Sequence, residues 1–127
     1  FEDWLPTLLH CVGASEQIPE NISGISLLPA LTGEVQPERP LLYREFPAYG
    51  GQQSVRVGDW KAIRQNMTKG RLVTELYNIR EDISEQNDRA DDHPELVRQL
   101  TKLMDEYRTP SSVYPLRPLD PAVSPSR

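Results

Sequence analysis

Apolar positions recur along this chain with two different periods, and the change between them divides it. In residues 1–14, Leu5, Leu8, Leu9 and Val12 fall at the three- and four-residue spacing of one helix face, which predicts a short helix. Asp3 stands near its N-cap, Pro6 is tolerated in the first turn and Gly13 ends it. Residues 15–24 are turn-rich. The run "SLLPALTG" then predicts a helix of one to two turns, with Ser26 as N-cap and Gly33 as its stop. The polar, proline-bounded "EVQPERP" is a linker, and the main boundary is placed there. From Pro40 onward the period becomes two. Residues 41–46, 54–57, 60–64 and 72–79 are strand candidates, with Gly58-Asp59 as the tight turn between the second and third. Val55 and Val57 share one face and Arg56 the other, whereas the third strand alternates less cleanly. Residues 94–107 return to helical spacing. Pro94 takes the first helical position, Asp92 or His93 the cap, and Leu96, Val97, Leu100, Leu103, Met104 and Tyr107 form one apolar stripe. The expected architecture is α+β: a small antiparallel sheet of about four strands packed against a C-terminal amphipathic helix. The expected segments are residues 1–35, 36–109 and a proline-rich tail, 110–127, read as an extended strap or a disordered end.

Composition narrows the function classes. The chain has 127 residues, an apolar fraction of 37% and a net charge of −5 from 19 acidic and 14 basic residues. So low an apolar fraction suits a small core or a chain that expects a partner surface. The charges are mixed along the sequence, with no basic stripe to neutralise phosphates, so nucleic acid is not an expected partner. No apolar run is long enough to span a bilayer, and no membrane partner is expected. The single cysteine, Cys11, excludes an internal disulfide, and its Leu8, Leu9 and Val12 neighbours suggest a buried small apolar side chain.

Candidate chemistry is sparse. His10 and His93 are far apart, with no second ligand at metal spacing, and His93 reads as a capping residue. The carboxylate pairs Glu81-Asp82 and Asp91-Asp92 adjoin Arg80 and Arg89 and read as solvated turns and helix-start charges. The run "REDISEQNDRADD" lacks the central glycine and terminal glutamate of a calcium-binding hand. Asn21-Ile22-Ser23 and Asn66-Met67-Thr68 match the glycosylation acceptor pattern in predicted loops, a pattern too common to decide anything. The C-terminal "VSPSR" is similar to the C-x-P-S-R nucleophile motif of sulfatases, but Val123 stands where Cys or Ser must be. Chance in a Pro/Ser-rich tail accounts for it.

Elsewhere the chain resembles the C-terminal portion of an arylsulfatase-type, formylglycine-dependent sulfatase. The resemblance rests on six segments in order, covering about residues 3 to 107. "DWLPTLLHCVGA" is similar to D-x-x-P-T-L-L-x-x-A-G, and "ISGISLLPALTG" to D-G-x-S-L-x-P-L-L-x-G. "LLYREF", "QQSVRVGDWKAI" and "TELYNIREDISEQND" resemble L-Y-W-E-F, Q-A-V-R-x-G-x-W-K-L and L-Y-D-L-x-x-D-P-x-E-x-x-N, and "HPELVRQL" matches the closing helix. Ser23 stands where the family often has Asp, and Ile83-Ser84 where it often has Pro-Gly.

The resemblance implies that residues 1–35 are the tail end of a large α/β domain and 36–109 the smaller C-terminal subdomain that docks on it and walls the substrate cleft. The formylglycine nucleophile, the calcium ligands and the sulfate-binding residues of the family precede the segment equivalent to Asp3. No catalytic or metal-binding residue maps onto this chain, and calcium and formylglycine are expected only in a full-length enzyme. The loop "REFPAYGGQQ" is expected to reach the cleft, with Arg44, Glu45, Gln52 and Gln53 as candidate contacts to the non-sulfate part of a substrate. The rival reading has the same four residues bonded within the loop or across the domain interface. The implied partners are the N-terminal catalytic domain of the same sulfatase and a sulfated small molecule or glycan, with self-association of the isolated chain through its first helix. The family implies a periplasmic, lysosomal or secreted location. The alternative is a free-standing interaction module derived from the subdomain, in which that helix binds a partner.

Overall fold

A computed structural model of the chain describes residues 1–117, 119 and 120. The chain divides into two compact units, Phe1–Pro40 and Leu41 onward. The division lies within a few residues of the polar linker.

The first unit contains α1 (Trp4–Cys11), a short 3-10 turn at Ser15–Gln17 and α2 (Leu28–Thr32). The first helix is shorter than its apolar spacing predicts. Its last apolar position, Val12, is the C-cap, and Gly13 follows in the left-handed region with φ 72°. Polar contacts hold the unit together. The Asp3 carboxylate accepts the Ile25 N–H at 2.9 Å and pairs with Arg39 at 2.5 Å. The Thr7 hydroxyl donates to the Asp3 carbonyl and accepts the Leu27 N–H, at 2.6 and 2.9 Å. Burial opposes the charge on Asp3, but the Ile25 N–H and the Arg39 guanidinium outweigh it and hold the carboxyl below its ordinary value. Gly24 is required where it stands, because a Cβ there would meet the Glu2 carbonyl oxygen at 2.1 Å. Ser26 lies one residue before the N-cap of α2, which is Leu27, and its hydroxyl accepts the Leu28 N–H at 3.2 Å.

One expectation is corrected in this unit. Cys11 is exposed rather than buried. Spacing placed it beside the apolar stripe, but Leu8 and Val12, which flank it, are themselves exposed.

The second unit is a four-stranded antiparallel meander, β1 (Leu42–Phe46), β2 (Gln52–Val57), β3 (Trp60–Arg64) and β4 (Glu75–Asn78), in that spatial order, followed by α3 (Pro94–Glu106). The hairpin closes with Val57 opposite Trp60, which leaves Gly58 and Asp59 as the two-residue turn, and Gly58 adopts φ 56°. One face of the sheet and α3 enclose a core of Val55, Ala62, Leu76, Leu100 and Met104. The opposite face carries a second cluster, Ile63, Tyr77 and Ile79. Apolar side chains on both faces of β3 and β4 explain the blurred alternation of the third strand. The fourth strand is shorter than expected, since Leu72 and Val73 are exposed and precede it. His93 takes the N-cap position of α3 without a side-chain cap bond, and its ring meets Trp60 edge-on at 4.8 Å.

The proline-rich segment contributes to this unit as far as it is described. Leu116 is fully buried, and the turn that follows it returns the Leu119 and Asp120 N–H groups to its carbonyl at 2.9 and 3.0 Å. The "VSPSR" run lies outside the described residues.

Candidate functional site

The turn between β1 and β2 is the segment whose side chains sequence reasoning singles out, and its geometry follows from the register. Glu45 pairs with Gln53, Arg44 with Ser54 and Phe46 with Gln52. Because successive side chains alternate across a strand, Glu45 and Gln53 lie on the face covered by α3, while Arg44 and Gln52 lie on the other face. The four residues therefore form two pairs rather than one convergent set.

On the covered face, Gln53 is fully buried and anchors a polar network. Its amide nitrogen donates to the Tyr43 hydroxyl at 3.2 Å and to the Met104 carbonyl at 3.5 Å. Its amide oxygen accepts from Arg64 Nη1 at 3.2 Å, and Arg64 Nε donates to the Thr74 hydroxyl at 3.0 Å. Tyr43 donates to Glu45 Oε2 at 2.6 Å, and that oxygen also accepts Arg108 Nε at 3.1 Å. Arg108 reaches on to Asp120, whose Oδ2 accepts the Leu116 N–H at 2.7 Å. Two guanidinium groups and two carboxylates thus share one chain of bonds, with a neutral amide and a phenol between them.

Burial and the bond to Glu45 push the Tyr43 hydroxyl well above a phenol's ordinary value, so it donates as a neutral group. The bond to Asp120 raises Arg108, and the bond from Arg108 lowers Asp120. Sequence reasoning missed Arg64, Arg108 and Asp120. The available signal was that Arg64 ends a strand whose inward-facing positions must be buried or bonded.

On the other face, Leu42, Arg44, Ser54, Arg56, Lys61, Ile79, Ile83 and Glu85 line an open concavity of about 290 Å³. Lys61 pairs with Glu85 at 2.5 Å, and Arg56 Nε donates to the Gly58 carbonyl at 2.9 Å. On this face burial and the neighbouring Glu75 push the Tyr77 hydroxyl up to about 12.

Among the described residues no group of three or more His, Cys, Asp or Glu side chains is placed to hold a metal ion. Nor is any described helix long and apolar enough to cross a membrane.

No protein-family model matches the chain, and no curated protein matches it. Solved structures do. Ps i-CgsB is 26% identical with a TM-score of 0.66, over 83% of this chain and 23% of that one. The protein yidJ from Bacteroides fragilis, assigned to the sulfatases, is 22% identical with a TM-score of 0.63, again over 83% of this chain and 23% of that one. A third, solved with its substrate D-glucosamine-2-N,6-O-disulfate, is 23% identical with a TM-score of 0.63, over 82% of this chain and 22% of that one. The chain thus resembles a subregion of sulfatases, and it spans about a quarter of the length of the structures it matches.

Proposed function

We propose that this chain is the C-terminal portion of a sulfatase that hydrolyses the sulfate esters of saccharides, completing that enzyme's fold and walling its substrate cleft. The observation that carries the reading is the fold match across more than four-fifths of this chain to about a quarter of much longer sulfatase-related structures. Two of the matched proteins were solved with saccharides, one with a k-i-k-neocarrahexaose and one with a disulfated glucosamine, which supports a sulfated saccharide as the substrate class. The formylglycine nucleophile and the calcium ion belong to the upstream catalytic portion, which is the partner of this chain. Alone the chain is inactive.

Of the four loop candidates, Arg44 and Gln52 are the substrate-side pair. Glu45 and Gln53 hold the loop through the network beneath it, a division supported by their opposite faces and by the burial of Gln53. Exposed Leu5 and Leu8 on α1, with Val12 at its C-cap, supply the surface that docks on the catalytic portion, or through which the isolated chain associates with itself. A periplasmic, lysosomal or secreted location follows from the same family reading.

The coding region immediately upstream of Phe1 tests this. An open frame with C-x-P-S-R or S-x-P-S-R is expected. Its whole product should release sulfate from a sulfated saccharide such as D-glucosamine 6-sulfate, and the 127-residue chain alone should release none. A start codon just before Phe1 with no such frame would leave a free-standing interaction module instead.

A further inference from the structure

The tip of the β1–β2 turn exposes an aromatic pair, Phe46 and Tyr49, that neither the core nor the buried network requires. Tyr49 adopts φ 51°, and Gly50 and Gly51 follow at 90° and 74°, three successive residues in the left-handed region. Glycine adopts that backbone at no steric cost, whereas a bulky residue does so against its own Cβ. Nothing local repays Tyr49 by burial, since it remains 85% exposed. Its ring instead stacks on Phe46, with centroids 5.9 Å apart and planes at 21°.

The loop cannot relax. The Gly51 carbonyl accepts the Met67 N–H at 3.2 Å, and the Gly50 carbonyl accepts the Thr68 N–H and hydroxyl at 2.9 and 3.0 Å. From another side Leu116 closes on it, so that a Cβ on Gly51 would stand 3.1 Å from Leu116 Cδ1. A strained, exposed aromatic ring on a clamped backbone is a placed group rather than a loose one.

We propose that Phe46 and Tyr49 form a preformed stacking platform for a saccharide ring, with Gln52, the cross-strand partner of Phe46, set to hydrogen-bond the ring hydroxyls. The electron-rich face of an aromatic ring attracts the polarised C–H groups on one face of a pyranose, and the two-ring surface is too small to hold a protein partner by burial alone. The choice of a saccharide rests on the sulfatase reading above, but the platform is complete within this chain and must act without a catalytic portion.

The test is saturation-transfer NMR on the whole 127-residue chain, with methyl β-glucoside and its 6-sulfate at millimolar concentration. Irradiating the aromatic protons should transfer saturation to the ring C–H protons of both sugars. The transfer should vanish in Tyr49→Ala and Tyr49→Gly and persist in Tyr49→Phe. No transfer from the unaltered chain, or transfer that survives in Tyr49→Ala, would overturn the platform. The sulfatase reading is judged separately by sulfate release. Transfer from both sugars without hydrolysis by the whole product would keep the platform and remove the enzyme.

Discussion

The two units bring opposite resources to the same chain. From Leu41 onward, apolar side chains from three strands and α3 close over one another, and a continuous polar network fills the edge of that core. In Phe1–Pro40 the buried residues are Pro6 and Thr7, while Leu8 on α1 is 57% exposed and Trp4, Val12, Leu31 and Val35 are exposed as well. Asp3, Thr7, Ser26, Gln36 and Arg39 tie that unit's turns together by hydrogen bonds and an ion pair. Hydrogen bonds exchange for water on folding and contribute little net, so a unit held chiefly by them is weak until its apolar face is covered. The second unit has a core of its own; the first leaves most of its large apolar side chains exposed.

Truncating the core breaks this contrast most sharply. Leu76→Ala or Met104→Ala in the second unit should cost about 2–5 kcal/mol by chemical denaturation. Leu8→Ala, the same deletion on exposed α1, should stay within about 0.5 kcal/mol. Equal losses at the two sites would erase the distinction. The network comes next. Gln53→Ala strands donors of Arg64 and leaves the Tyr43 hydroxyl without one partner, and a loss of about 1–3 kcal/mol is expected.

Smaller effects appear on titration. Asp120 and Asp3 are held below the ordinary carboxylate value in the folded protein. Their contribution is therefore present above the unfolded value of about 4 and is lost as pH falls through the folded one. Asp120→Asn should flatten the acid limb of the second unit's unfolding curve, and Asp3→Asn that of the first. Tyr77 has the opposite sign. Its hydroxyl is raised to about 12, so its contribution is complete below about pH 10 and is lost between there and pH 12. Tyr77→Phe should remove that alkaline loss, as followed by circular dichroism.

The sequence patterns that proved legible are those in which one local signal suffices. Gly58-Asp59 directly after the alternating Val55 and Val57 specifies a hairpin, and the Leu96-to-Met104 stripe specifies the helix across it. Where the outcome depends on two distant segments, pattern reading fails. Nothing around Leu116 has a period, yet it is fully buried, with its Cδ1 against Gly51, far away in sequence. That Glu45 and Gln53 bond to Tyr43, Arg64 and Arg108 on the α3 face is likewise set by segments distant in sequence and has no local signal. Arg44 and Gln52 differ from them only by one step of the same alternation. Cys11 illustrates the converse. A correct reading of apolar spacing does not imply burial when the stripe it belongs to is uncovered within the chain.

Amide hydrogen exchange on the 127-residue chain tests the central contrast most directly. Slow exchange is predicted at Val55, Ala62 and Leu76 in the strands and at Leu100 and Met104 in α3, with protection approaching the global unfolding free energy. Fast exchange is predicted throughout α1 and α2, becoming slow only when an upstream catalytic portion is present. Protection of α1 equal to that of the strands in the isolated chain would contradict the reading of Phe1–Pro40 as a docking element.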